Sequence, residues 1–317
     1  MSTGNLKIFG GRANQPLAGK ISDYLGIPLG TAKIQVFPDG ELLVKLEEDV
    51  RGRDVFVIQP TCAPVNEALM ELLIFIDCAR RASAQRITAV MPYFGYARQD
   101  RKDEGRTPIT AKLTANLITT AGADRVLTMD LHAAQIQGFF AIPVDNLLAE
   151  PVLSRHWLSY EFHDLVLVSP DAGNTKRARV YAQRLGGDLA IINKRRVSGG
   201  QVEASHIIGE VKDRDVLMMD DMISTAGTIA TAATLCKDHG ARKVYVGATH
   251  AVLCGPAIER LIQAPIDQVV VTDTIPVTPE KLNGLKTLTV LSVAELMGEA
   301  IHRIHNDESV SNLFSLN

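Results

Sequence analysis

A chain of 317 residues is long for one ordinary domain, and two domains of roughly 150 residues each are the natural expectation. Hydrophobic residues make up 46% and charged residues 22%, ample for buried cores, and a net charge of −3 excludes the broad basic surface of a bulk nucleic-acid binder. No charged-then-apolar leader is visible and the longest apolar run, residues 69–76, is broken by Glu71, so the expectation is a cytoplasmic chain with no membrane partner.

Short apolar, β-branched runs predict strands over residues 6–9, 33–37, 55–59, 87–91 and 126–129. The second half adds strands at 165–168, 189–192, 216–219, 244–246, 269–271 and 288–291. Amphipathic patterns between them predict helices at 66–82, 110–120, 175–185, 228–239 and 293–305. This βαβα rhythm means an α/β fold of mainly parallel sheets flanked by helices, in which ligands bind outside the carboxyl ends of the strands. Residues 123–130 echo residues 213–220, each a strand ending in an acid, which suggests two similar halves. Pro151 suits the first turn of a helix, so domains of 1–149 and 150–317 are expected, the last helix being free to pack back on the first domain. Cys62, Cys78, Cys236 and Cys254 form no Cys-x-x-Cys pair and are expected to be buried, reduced thiols.

The most informative segment is Val216-Leu217-Met218-Met219-Asp220-Asp221-Met222-Ile223-Ser224-Thr225-Ala226-Gly227-Thr228. A buried strand delivers two adjacent acids to the sheet edge, and a turn of small and hydroxyl residues leads into a helix beginning near Thr228. Backbone N–H groups in such a turn, backed by a helix N-terminus, cradle a phosphate dianion. Gly227 permits close approach, and the hydroxyls of Ser224, Thr225 and Thr228 add donors. Asp220 and Asp221 above the cradle can accept hydrogen bonds from vicinal ribose hydroxyls or hold them through Mg²⁺. Taken alone, an Asp-Asp pair is more often an ordinary turn with a threonine cap; the apolar strand before it and Thr-Ala-Gly-Thr after it favour the phosphate site. Neither a P-loop nor a Gly-x-Gly-x-x-Gly fingerprint is present.

The loop resembles that of the phosphoribosyltransferase superfamily, and further segments sharpen the resemblance to the ribose-phosphate pyrophosphokinases, also called phosphoribosyl-pyrophosphate synthetases. These are Phe37-Pro38-Asp39-Gly40-Glu41, the run from Pro92 through Arg98 and Gln99 to Lys102, the run from Asp130 through His132 to Phe140, Ser169-Pro170-Asp171-Ala172-Gly173, and Asn193-Lys194-Arg195-Arg196. The likeness spans almost the whole chain. It implies two tandem phosphoribosyltransferase-like domains, assembly as a homohexamer, and regulation by ADP and phosphate. The implied reaction moves the β,γ-diphosphoryl group of MgATP to the C1 hydroxyl of ribose 5-phosphate, releasing AMP. The resemblance further implies that ATP is held by Asp39, Gly40 and Glu41 of a neighbouring subunit, with Phe37 near the adenine, and by Arg98 and Gln99. His132 and Asp171 would bind magnesium, and Lys194 and Arg196 would lie over the transferring phosphates. Asp220, Asp221, Ser224, Thr225, Ala226, Gly227 and Thr228, with Arg196, would hold ribose 5-phosphate.

The basic run 194–196 precedes Gly199-Gly200, which suggests a lid that orders on nucleotide binding. His132 is a less natural partner for a hard cation than Asp171. Two positions depart from the family pattern: Ser224 stands in the third acidic place of Asp-Asp-x-x-Asp-Thr-x-Gly-Thr, and Asn174 replaces a second glycine. Asparagine tolerates left-handed backbone, which makes the second change mild. The loss of a carboxylate at 224 keeps a rival open, a catalytically weak regulatory subunit of the same family. A phosphoribosyltransferase acting on a base would leave the segments at 37–41 and 96–99 without a role, and a non-enzymatic phosphosugar-sensing module is a third alternative.

Overall fold

The computed structural model describes residues 5–171, 173–196 and 202–314, with the backbone alone at 194–196, 202–205, 312 and 314. The chain divides into two compact units, Met1–Leu148 with Thr274–Pro276 and Ser292–Asn317, and Ala149–Asp273 with Val277–Leu291. The first runs β1 (Leu6–Gly10), α1 (Gln15–Leu25), β2 (Ala32–Val36), β3 (Leu42–Leu46), β4 (Asp54–Ile58), α2 (Val65–Arg81), β5 (Arg86–Met91), α3 (Thr110–Ala121), β6 (Arg125–Met129) and β7 (Val144–Leu147). The second runs α4 (Glu150–Trp157), β8 (Val166–Ser169), α5 (Thr175–Leu185), β9 (Asp188–Arg196), β10 (Val202–Ile208), β11 (Asp215–Met222), α6 (Gly227–Asp238), β12 (Lys243–His250), α7 (Ala257–Gln263), β13 (Gln268–Thr272), α8 (Pro279–Gly284) and β14 (Leu288–Leu291). α9 (Ala294–His305) returns to the first unit, where Gly298 lies so close to α1 that a Cβ there would stand 2.5 Å from Tyr24 Cδ1.

The first unit carries a parallel sheet of order β1-β4-β5-β6-β7, the second a sheet of order β10-β9-β8-β11-β12-β13-β14 in which only β10 runs antiparallel. Every residue of β4 is buried: Val55 and Val57 join the cluster of α2 and α3, and Phe56 and Ile58 are covered on the other face. β11 behaves alike, with Val216 and Met218 against α6 and α7 and Leu217 and Met219 buried opposite. Continuous apolar runs therefore form strands here because both faces of each sheet are covered. Among the described residues no helix is long and apolar enough to cross a membrane.

The two sheets repeat one plan, but in a register the sequence echo misplaces. Matching the strands in order pairs β4 with β11, β5 with β12 and β6 with β13, so residues 123–130 and 213–220 are not counterparts. The true correspondence is Arg53-Asp54-Val55 with Arg214-Asp215-Val216. Arg86 grips Asp54 through Nε at 2.9 Å and Nη2 at 2.5 Å, and Arg242 grips Asp215 at 2.8 and 2.6 Å. Asp124 and Asp267 likewise accept 2.8 Å bonds from Ile87 N and Val244 N. The hairpin β2–β3 occupies the same place in chain order as β9–β10; the first stands as its own sheet, the second joins the large one through β8.

Several sequence expectations shift. The strand expected at 33–37 ends at Val36, and the one expected at 189–192 extends to Arg196, so the basic run is strand backbone where a lid loop was expected. β3, β7 and β10 were not legible, β7 because Val-Asp-Asn-Leu is short and without alternation. Of the cysteines only Cys62 and Cys236 are buried; Cys78 is half-buried and Cys254, on the loop after β12, is exposed.

Replacing Asp54 or Asp215 by alanine removes the acceptor for an Arg fork, and for His305 Nδ1 or His163 N besides (2.8 and 2.9 Å). Each variant should lose about 2–3 kcal/mol in denaturant unfolding, less than a fully buried pair because both arginines keep some access to water. A loss under about 0.5 kcal/mol would show the clamps to be ornamental.

Candidate active site

The site of the second unit is built at the carboxyl ends of β8, β11 and β12. β11 carries Asp220 and Asp221 within the ladder to β12, which continues as far as the pairing of Met222 with His250. Asp221 is buried, and its N–H donates to Asp220 Oδ1 at 2.8 Å. Burial first, and then the charge of Asp221, push the Asp220 carboxyl up from the ordinary 3.8 to about 7, against the opposing pull of Arg177 on α5.

The turn beyond is held to the loop after β12 by Ile223 N to His250 O at 3.0 Å, Leu253 N to Ile223 O at 2.9 Å and Cys254 N to Ser224 O at 3.0 Å. Ser224 Oγ lies 3.4 Å from Cys254 Sγ. Ala226 takes φ +60°, a left-handed conformation that costs a Cβ-bearing residue about 1–2 kcal/mol. That kink turns the chain into α6, one residue earlier than Thr228, and no side chain caps the helix. The N–H groups of Gly227, Thr228 and Ile229 open the helix and have no acceptor within it, as an anion cradle requires. Arg260 Nη1 fastens the turn from outside through Thr225 O at 3.0 Å. Thr225 and Thr228 are exposed.

Asp171 is exposed on the loop after β8, with its backbone O accepting from Ser169 Oγ at 2.6 Å and its Oδ1 from Asn174 N at 2.9 Å. Asn174 adds a bond from Nδ2 to Met219 O at 2.6 Å. Its φ is −90°, so the left-handed tolerance expected of it is not used. Lys194 and Arg196 pair with Ser205 and Val202 in the β9–β10 ladder; their side chains, like Ala172, lie outside the described residues.

In the first unit, Phe37 through Glu41 form the exposed tip of the β2–β3 hairpin. Phe37 N donates to Glu41 O at 2.8 Å, Glu41 N to Asp39 Oδ1 at 3.1 Å, and Gly40 holds the φ of +92° that a side chain would strain. Arg98 and Gln99 follow β5. Gln99 is tied to the first turn of α3, its O accepting from Ala111 N at 3.2 Å and its Oε1 from Thr110 Oγ1. His132 is exposed two residues beyond Asp130, which follows β6 at φ +43°. Gln135 Nε2 to Asp100 Oδ2 at 2.8 Å ties the loops after β5 and β6 together. Arg98, Gln99 and His132 thus share one sheet edge, and Asp171, Asp220, Asp221 and residues 224–228 share another.

Among the described residues no group of three or more His, Cys, Asp or Glu side chains forms a metal cage. Single exposed carboxylates such as Asp171 suit a hard divalent cation that keeps water and substrate phosphates as its other ligands; the imidazole of His132 suits it less well. Arg177 and Arg260 went unassigned in the sequence, as did the bridging role of Asn174; the departure of Asn174 from the family pattern and Arg177, a cation in the first turn of the helix after Asp171, carried usable signals.

A parallel sheet whose inner strand ends in paired acids, followed by a small-residue turn into an uncapped helix, defines the phosphoribosyltransferase-type class of α/β enzymes. Residues 6–122 match the N-terminal domain of ribose phosphate pyrophosphokinase, and residues 200–315 the phosphoribosyl synthetase-associated domain. A ribose-phosphate pyrophosphokinase of Rhodopirellula baltica is 62% identical over 98% of both chains, and one of Caldanaerobacter subterraneus 55% identical over 99% of both. The crystal structure of phosphoribosylpyrophosphate synthetase from Mycobacterium smegmatis superposes with a TM-score of 0.89 at 42% identity, covering 96% of this chain and 99% of that one. The chain belongs to the ribose-phosphate pyrophosphokinase family.

The raised Asp220 carboxyl has a stability consequence. A folded-state pKa near 7 against an ordinary 3.8 means that ionisation opposes folding: the penalty is absent below about pH 4 and fully developed above about pH 7. Asp220→Asn should therefore raise Tm by several degrees at pH 8 without metal, the gap closing as the pH falls toward 4, although the variant is expected to bind ribose 5-phosphate poorly. A pH-independent gap in thermal denaturation would refute the raised Asp220 carboxyl.

Proposed function

We propose that this chain transfers the β,γ-diphosphoryl group of ATP to the C1 hydroxyl of ribose 5-phosphate. The hydroxyl oxygen bonds to the β-phosphorus, the bond from that phosphorus to the α,β-bridging oxygen breaks, AMP leaves with that oxygen, and the hydroxyl proton is released. The observation that carries the reading is the β11–α6 connection, where paired carboxylates stand directly before an uncapped helix start. The 5-phosphate docks on the N–H groups of Gly227 and Thr228, Ala226 giving the turn its shape and Ser224, Thr225 and Thr228 adding hydroxyls. Asp220 and Asp221 accept from the ribose hydroxyls.

ATP lies against Arg98 and Gln99, and Phe37, Asp39, Gly40 and Glu41 reach it from a neighbouring subunit of a homohexamer. The hairpin supports that sharing, since Val36, Phe37 and Leu43 leave 50%, 37% and 41% of their surfaces exposed, more than a solitary hairpin should offer to water. Asp171, and at the edge of the first unit His132, are the residues that would hold magnesium, which would supply charge neutralisation to the phosphates. Lys194 and Arg196 would add positive charge where negative charge develops in the transition state, and Arg196 would serve ribose 5-phosphate as well. The enzyme works in the cytoplasm, with ADP and phosphate as regulators.

Purified protein given MgATP should release AMP only when ribose 5-phosphate is present. Silence under those conditions, with both ligands bound, would instead identify the regulatory-subunit reading. Lys194→Ala should lower kcat by about 10²–10³ with little change in KM, the usual cost of one preorganised charge contact. Ser224→Asp, which restores the third carboxylate, should lower the KM for ribose 5-phosphate several-fold and leave that for ATP nearly unchanged. An unchanged or higher KM would mean that the loop has adapted around the Ser224–Cys254 contact.

A further inference from the structure

The two loops that carry the acids of the second unit spring from neighbouring strands that part company before they end. The β8–β11 ladder pairs Val216 with Val166 and Leu217 with Leu167 and goes no further, whereas β11 stays paired with β12 through Met222. Beyond Leu217 the β8 side of β11 has left its ladder, which opens the crevice in which α/β sheets bind ligands. The separation also leaves the carbonyl of Met219, a buried residue directly before Asp220, without a strand partner on that side.

Asn174 fills that vacancy. Its Nδ2 donates to Met219 O at 2.6 Å, and its own backbone N–H donates to Asp171 Oδ1 at 2.9 Å. One residue therefore holds the Asp171 carboxylate with its main chain and the stem of the Asp220-Asp221 pair with its side chain. Its φ of −90° and ψ of 1° are those of the third residue of a type I turn, which most residue types adopt, so left-handed strain does not explain an asparagine. The glycine expected there from the family resemblance would have no side chain to span the gap.

We propose that Asn174 is a positioning residue, a side-chain clasp that fixes the Asp171 loop against the end of β11 and so presets the spacing between Asp171 and the ribose-binding acids before substrate arrives. The inference rests on the roles given above to Asp171 and Asp220. The clasp acts on ground-state arrangement and touches no reacting atom. Its loss is felt as a larger ordering cost on binding, which a saturating ligand overcomes.

The test compares wild type with Asn174→Ala, Asn174→Gly and Asn174→Asp; the last keeps the shape and the backbone N–H but turns an acceptor toward Met219 O. All three should raise the calorimetric Kd for ribose 5-phosphate in metal-free buffer about five-fold, the usual worth of one net hydrogen bond. They should also raise the magnesium concentration for half-maximal rate by a similar factor, while kcat at saturation and the KM for ATP stay within about two-fold of wild type. Unchanged Kd and unchanged magnesium midpoint would overturn the clasp. So would a fall in kcat that follows a lowered Tm with the Kd intact, because that is the signature of a merely structural residue. Asp171→Ala, measured alongside, separates the two levels of argument. If it shifts the magnesium midpoint and the Asn174 variants do not, the clasp alone fails; if it shifts nothing, the assignment of Asp171 fails and takes the clasp with it.

Discussion

The second unit is organised around one electrostatic constraint: a strand covered on both faces has to carry two adjacent carboxylates near its end. β11 is apolar from Val216 to Met219 because both faces of the sheet are covered, and Asp220 and Asp221 follow with no intervening turn to carry them into water. Burial and mutual repulsion hold Asp220 near neutral pH, and the Asp221 N–H and the Arg177 charge relieve only part of the cost. A strained Ala226 and an uncapped α6 follow at once, so the unfavourable features of the unit are gathered within a few residues. Polyhydroxy sugar, phosphate and cation are the ligands that would relieve them together.

The stabilising features lie at the other ends of the strands. Arg86 on Asp54 and Arg242 on Asp215 clamp the amino ends of β4–β5 and β11–β12, where no ligand has to enter. The same clamp in both sheets shows that the carboxyl edge was free to diverge while the amino edge kept its geometry. In the second unit the strand after the hairpin leads to Asp220 and Asp221; in the first its counterpart β4 leads to Gln59, with Oε1 accepting from Ala13 N at 3.1 Å and Nε2 donating to Glu71. One plan thus supplies an edge of paired acids in the second unit and, in the first, an internally satisfied edge where Gln59 joins the Arg12–Glu71 ion pair.

Much of this was legible in the chain. Strands buried on both faces announce themselves as unbroken apolar runs, which is why β4, β5, β6, β11 and β13 were located closely. The paired acids and the Thr-Ala-Gly-Thr turn were readable because a phosphate cradle needs those residue types consecutively. Illegible were the hairpin strands β3 and β10, half exposed or polar, although Pro38-Asp39-Gly40 was a turn signal that could have exposed the first hairpin. The internal echo misled because any buried strand ending at a ligand edge looks like Val-Leu-x-Met-Asp. The genuine counterparts share Arg-Asp-Val, an arginine some thirty residues on, 86 after 54 and 242 after 215, and a later aspartate, 124 and 267.

What the sequence by itself determined was local and covalent in origin: which segments are apolar enough to be strands, where two acids stand side by side, where small residues let a chain turn into a helix. Those properties belong to neighbours along the chain and survive without knowledge of the fold. Only the tertiary structure decided which acids share an edge, that Asp220 is held near neutrality, that the basic run at 194–196 is strand, and that Asn174 reaches Met219 across 45 residues of sequence. Each of these depends on distance through space and on exclusion of water, and neither is set until the strands have packed.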